Sequence, residues 1–185
     1  MSYASADTAV ANEVCAALER AGVRCWIAPR DVMPGVQMYR GDYGRARESF
    51  QHSLEINPEQ SNTAAFVAYT FLLQGDPASA LPMSRRSTVE LFQLQVAALA
   101  DHDLGHAPEA RQHLDEAISK HATDGAYQIA QVYALWGDKD RTFQWLERAY
   151  QQHDGGFTVV EFDPLVKSLR PDPRFAALVK KLKQN

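Results

Sequence analysis

Four glycines, Gly41, Gly75, Gly105 and Gly137, stand 34, 30 and 32 residues apart. Apolar stretches at helical spacing flank each of them. A period in the low thirties, with a helix on either side of a glycine turn, marks stacked helical hairpins. The blocks share more than glycine. Ala68, Ala98 and Ala130 fall on first helices, and Ala46, Ala80, Ala110, Ala117 and Ala149 on second helices. Two helices cross closely only where such small residues meet. Phe50, Leu114 and Leu146 are the large residues that seal the layer between helices. Each glycine ends a first helix, because the residue past the C-cap takes a left-handed backbone that glycine adopts without penalty. Asp76 and Asp138 follow directly and are placed to cap the next helix.

The pattern predicts helices over Asn62–Leu73, Pro77 to about Ser87, Glu90–Asp103, Pro108–Lys120, Gly125–Trp136 and Lys139–Gln152. The 30-residue spacing makes the second of these short by about a turn. Asp163-Pro164 and Asp172-Pro173 put Asp at an N-cap and Pro at the first helical position, so closing helices are expected over 164–169 and 173–183. The last would bury Phe175, Leu178, Val179 and Leu182 and expose Lys180, Lys181 and Lys183. Gly155-Gly156 reads as a hinge.

Residues 1–35 read differently. Strands are expected at Ser2–Ala4 and Val23–Ala28, around a helix from Asp7 or Thr8 to Ala21. That helix has an apolar stripe of Val10, Val14, Ala17, Leu18 and Ala21. Pro29–Gly35 reads as a loop, which leaves the first repeat without a good first helix. The predicted fold class is therefore mainly α: a helix-turn-helix solenoid with a small N-terminal β-α-β stub. The predicted division is 1–35 for the stub, 36–160 for three to four repeats with the first incomplete, and 161–185 for capping helices.

On these motifs the chain resembles the tetratricopeptide (TPR) repeat family. Asp163-Pro164-Leu165 … Leu169-Arg170 … Asp172-Pro173-Arg174-Phe175 is similar to the common ending of bacterial multidomain TPR proteins. Ser2-Tyr3-Ala4-Ser5 … Asp7, then Gly22-Val23-Arg24-Cys25-Trp26-Ile27-Ala28-Pro29-Arg30-Asp31, resembles the opening of a bacterial TIR domain. The likeness covers only about the first 35 residues. The helix that bears the TIR family's catalytic glutamate lies in the part the chain lacks. No NAD-cleaving activity is carried over. The resemblances imply a bacterial, truncated TIR-TPR protein that binds a partner without catalysis.

Composition narrows the function classes. The net charge of −4 and pI near 5.8 give no basic footprint, which disfavours nucleic acid and electrostatic membrane binding. No run of about 20 apolar residues is present, nor a basic-then-apolar leader. Two cysteines, Cys15 and Cys25, make no disulfide framework. A reducing cytoplasm is expected. His102 and His106 are separated by the helix-breaking Gly105, so they need not share a face, and no metal, cofactor or catalytic residue is expected. Trp136 and Trp145 read as core.

The functional surface of such an array is the inner face, lined by first helices. On this chain it comprises Asn62, Tyr69 and Leu72, then Phe92, Gln95, Leu99 and His102, then Tyr127 and Gln131, with Ala65 between. It mixes aromatics with amides and lacks the Lys, Arg and Asn cluster that clamps a terminal carboxylate. The expected function is recognition of a peptide or helix in this groove. The rings of Tyr69, Phe92 and Tyr127 should then be partly exposed. Two alternatives remain: homodimerisation through an open strand edge at Val23–Ala28, and a remnant of a TIR-type NAD hydrolase.

Overall fold

A computed structural model of the chain describes residues 8–23, 34–58 and 62–183. The helices are α1 (Thr8–Arg20), α2 (Pro34–Tyr39), α3 (Tyr43–Ile56), α4 (Thr63–Leu72), α5 (Pro77–Ser84), α6 (Glu90–Asp103), α7 (Ala107–His121), α8 (Ala126–Leu135), α9 (Lys139–Gln151) and α10 (Pro173–Leu182). Two 3-10 helices, Gly155–Val159 and Pro164–Leu169, separate α9 from α10. The pairs α2/α3, α4/α5, α6/α7 and α8/α9 pack as successive hairpins. The first helices also touch one another, α4 on α6 and α6 on α8, so they form one continuous inner face.

The periodic glycines build this. Gly41, Gly75, Gly105 and Gly137 all have positive φ, between 76° and 84°. After each, the next amide reaches back to close the helix end: Asp42 N–H to Gln37 O, Asp76 to Phe71, His106 to Asp101 and Asp138 to Tyr133, at 2.8–3.0 Å. This is the Schellman arrangement, which needs a left-handed residue at that one position. The following Asp then turns outward to start the second helix. Asp42, Asp76 and Asp138 accept from the N–H groups of Arg45, Ser79 and Arg141. His106 takes the same place before α7 without a side-chain cap. One glycine–aspartate pair thus stops one helix and starts the next.

The small residues lie where the packing needs them. Ala46, Ala68, Ala80, Ala98, Ala110, Ala117, Ala130 and Ala149 are all buried, as are Phe50, Leu114 and Leu146. α5 is the short helix that the 30-residue spacing implies. Replacing Ala98 or Ala130 by Leu should overpack a crossing and cost roughly 1–3 kcal/mol. A thermal midpoint unchanged in Ala130→Leu would show that this residue is not at a helix crossing.

Two expectations need correction. The β-α-β stub is not seen: α1 forms, but no strand occurs among the described residues. Val23 is the one residue of the predicted second strand that is described, and it is not in a strand. Ser2–Ala4 and residues 24–28 lie outside the described part. The apolar stripe of α1 is open. Val10 is 63% exposed, and Val14, Ala17, Leu18 and Ala21 are exposed with it, whereas Cys15 is buried. Helical periodicity shows that a helix is amphipathic; it does not show what covers the apolar face. Finally, the first repeat has a first helix after all. α2 starts on Pro34, a residue suited to the first helical position, and Met38 anchors it in the core.

The core has two parts. The larger runs from α2 to α8 and includes Leu165 from the second 3-10 helix. The smaller joins α8 and α9 to Phe157, Val160, Val166, Leu169, Phe175 and Leu178. α10 presents Phe175 and Leu178 inward and its lysines outward, closing the flank of the last hairpin. No helix among the described residues is long and apolar enough to cross a membrane.

Candidate functional site

The inner face carries a chain of buried hydrogen bonds. Tyr69 Oη on α4 donates to Gln95 Oε1 on α6 at 2.5 Å. Gln95 Nε2 donates to Gln131 Oε1 on α8 at 2.6 Å. Gln131 Nε2 donates to Asp163 Oδ2 at 2.6 Å, and Tyr127 Oη donates to the same oxygen at 2.6 Å. Asp163 lies just before the second 3-10 helix, and its Oδ1 accepts from Leu165 N–H at 2.8 Å. Every donor in the row points towards the carboxylate. An acceptor-only group at the end sets the orientation of both amides, and with it the direction of the whole row.

The segment that bears Asp163 therefore occupies the inner face. Asp154 starts it: its carboxylate accepts from Tyr127 N–H at 3.0 Å and from Gly156 N–H at 2.9 Å. Gly156 is no hinge. It lies against the Tyr127 ring, where an added Cβ would stand 2.7 Å from Cδ1, too close for any other residue. Leu165 then buries its side chain beside the first helices.

This arrangement corrects the expected exposure of the groove. Tyr127 is 1% exposed and Tyr69 2%; of the three rings only that of Phe92 is partly exposed. Nothing in the sequence pattern showed that residues 155–169 cover the face. Of the other predicted site residues, Gln95, Leu99, Leu72 and Gln131 are buried and Asn62 is half-buried. Asn62, Tyr69, Phe92, Tyr127 and Gln131 are brought together around one cavity of about 240 Å³. Leu72, Leu99 and His102 do not line it. His102 stacks on Trp136 instead, with ring centroids 5.2 Å apart. His106 leaves it to stand beside Asp101, Nδ1 to Oδ1 3.1 Å.

Tyr39, Phe66, Gln128 and Asp163 line the same cavity and were missed. Phe66 was open to sequence reasoning, because residues 62, 66 and 69 share a helix face. Tyr39 was hidden by the unrecognised α2. Asp163 was recognised only as a cap.

Burial sets the electrostatics. It pushes the Asp163 carboxyl above its ordinary value, while the bonds from Tyr127, Leu165 and Gln131 favour the anion and offset part of that push. Burial, followed by the nearby Asp163 charge, raises Tyr69, Tyr127 and Tyr39 above the usual phenol value. Asp172, the half-buried twin of Asp163 in sequence, behaves oppositely. Arg174 bonds it through side chain and backbone and holds it down at about 2.

No known protein-family model matches the chain, and no curated protein matches it.

Proposed function

We propose that the chain is a non-catalytic interaction module of TPR-like repeats, whose inner face receives an extended peptide next to its own C-terminal segment. One observation carries this reading: the inner face already grips a piece of chain, two short 3-10 helices joined through an extended Asp163. Asp163 enters with φ −62° and ψ 121°, and three successive first helices contribute to the polar row that ends on its carboxylate. A face that holds one such segment has the chemistry to hold another. The segment fills the part of the face near α8. The cavity bounded by Asn62, Tyr39, Phe66 and Phe92 is left beside it. Half-buried aromatic rings of this kind anchor peptide ligands, often at about 2 kcal/mol or more each on truncation.

Panning a random peptide library on the full chain tests the reading. Enriched peptides should lose at least tenfold in affinity on Phe92→Ala. They should bind unchanged to a chain carrying Val10→Ser and Leu18→Ser on α1. The reverse pattern would place binding on the N-terminal helix.

A second reading has its own support. α1 exposes Val10, Val14 and Leu18 one turn apart, a stripe suited to pairing with a second amphipathic helix. Homodimerisation would then use this helix rather than a strand edge, and the same double substitution should abolish it in sedimentation.

A further inference from the structure

The cavity on the inner face has an unusual lining for its size. At about 240 Å³ it lies below the range of pockets for drug-sized ligands, so it suits a group the size of a side chain. Its walls include five aromatic residues, Tyr39, Phe66, Tyr69, Phe92 and Tyr127, together with Asp163. These come from α2, α4, α6, α8 and the 3-10 segment. Phe66 meets Tyr69 edge-on at 5.8 Å and Phe92 at a tilt at 6.4 Å, so these three rings form one connected wall.

The polar groups in this lining lean one way. Asp163 is buried, and its hydrogen-bond partners are the neutral donors Tyr127, Gln131 and Leu165 N–H. Among the cavity's lining residues there is no Lys, Arg or His. Gln128 Oε1, on the same cavity, is buried and has no hydrogen-bond partner. The site thus combines a carboxylate with no cation among the lining residues (Arg170 acts on it only from outside the cavity), an amide oxygen without a donor and a set of aromatic rings. Each of the three is satisfied by positive charge that carries N–H or N–CH₃ groups. An anion would meet the Asp163 charge. A neutral apolar group would leave the carboxylate and the amide oxygen uncompensated.

We propose that this cavity binds an alkylammonium group, the end of a lysine or methylated lysine on the peptide that the inner face receives. The proposal rests on the peptide-binding reading for the source of the ammonium group, and on the cavity alone for its chemistry.

The test uses the full chain and three small probes at matched ionic strength: choline, n-butylamine, and 3,3-dimethylbutan-1-ol, the uncharged carbon isostere of choline. Choline or butylamine should shift the ring resonances of Tyr39, Phe66 and Phe92 saturably. The better of the two should bind at least tenfold more tightly than the alcohol. Asp163→Asn should erase that preference. Phe92→Leu, at a half-buried position that keeps an apolar side chain, should weaken the cation at least fivefold without unfolding the chain. Equal binding of the alcohol, or no saturable shift with either cation, overturns the proposal. A further arm separates it from the reading beneath it. Selected peptides should lose tenfold when their lysine is replaced by norleucine. Peptides that keep full affinity overturn the ammonium proposal and leave the groove reading standing. A cation preference with no peptide selected upholds the cavity's chemistry and sinks the groove reading.

Discussion

Asp163→Ala should loosen residues 155–169 on the inner face while α3 to α9 stay folded. The carboxylate is the last acceptor of the polar row, and its loss leaves Tyr127 Oη, Gln131 Nε2 and Leu165 N–H without a partner. Each orphaned buried donor costs about 1–3 kcal/mol, and relief of the carboxylate's own desolvation offsets part of the sum. An expected destabilisation of order 3–5 kcal/mol in the docked segment follows. Phe157, Val160, Leu165, Val166 and Leu169 still hold the segment by burial, so it opens more often rather than leaving for good, and each opening returns all three donors to water. Amide exchange across 157–169 should then rise by at least a hundredfold, and Tyr69 and Tyr127 should become open to nitration. Asp172→Ala is the control. Asp172 caps α10 at the surface, and its loss should cost only the ~1 kcal/mol of an N-cap. Equal effects from the two substitutions would show that Asp163 is a cap and no more.

Leu165→Ala should cost about 2–5 kcal/mol, the usual range for truncating a buried leucine. Leu165 is 2% exposed and belongs to the same core as Met38, Tyr69 and Leu94, although it comes from the far end of the chain. It is the apolar half of the anchor whose polar half is Asp163. The two residues are neighbours on one segment, so their substitutions should not add: once the segment has left, the second change has nothing to break. A double variant as destabilised as the sum of the singles would mean that the segment does not leave the face as a unit.

Most of the scaffold was legible because a single local rule repeats. Gly at the left-handed position and Asp after it are local chemistry, and so are the alanines at the crossings. α6 begins and ends where the periodicity places it, on Glu90 and Asp103. What the sequence hid was non-local. Asp163-Pro164 and Asp172-Pro173 are the same two letters, and both do cap a helix. Nothing beside them in the chain shows that one faces solvent and the other closes a hydrogen-bonded row 36 residues back, on Tyr127. Counting back from the turn glycines, Tyr69 and Gln131 hold one repeat position, and Gln95 and Tyr127 another. Tyr and Gln thus recur at these two positions of the face. That recurrence was visible as a mixture of aromatics and amides, but its meaning depended on the acceptor at the end of the row. α1 shows the converse limit. Its stripe was read as apolar at helical spacing, and that spacing says nothing of what covers it.

The chain's own 155–169 segment fills the part of the inner face near α8. Proton–proton nuclear Overhauser contacts in the full chain address it directly. Gly156 lies on the Tyr127 ring, and Leu165 lies in the core beside the first helices. The account predicts strong contacts from the Gly156 α-protons to the Tyr127 ring, weakened in Asp163→Ala. A Tyr127 ring with no contact to Gly156, in a chain whose α8 and α9 are folded, would contradict it.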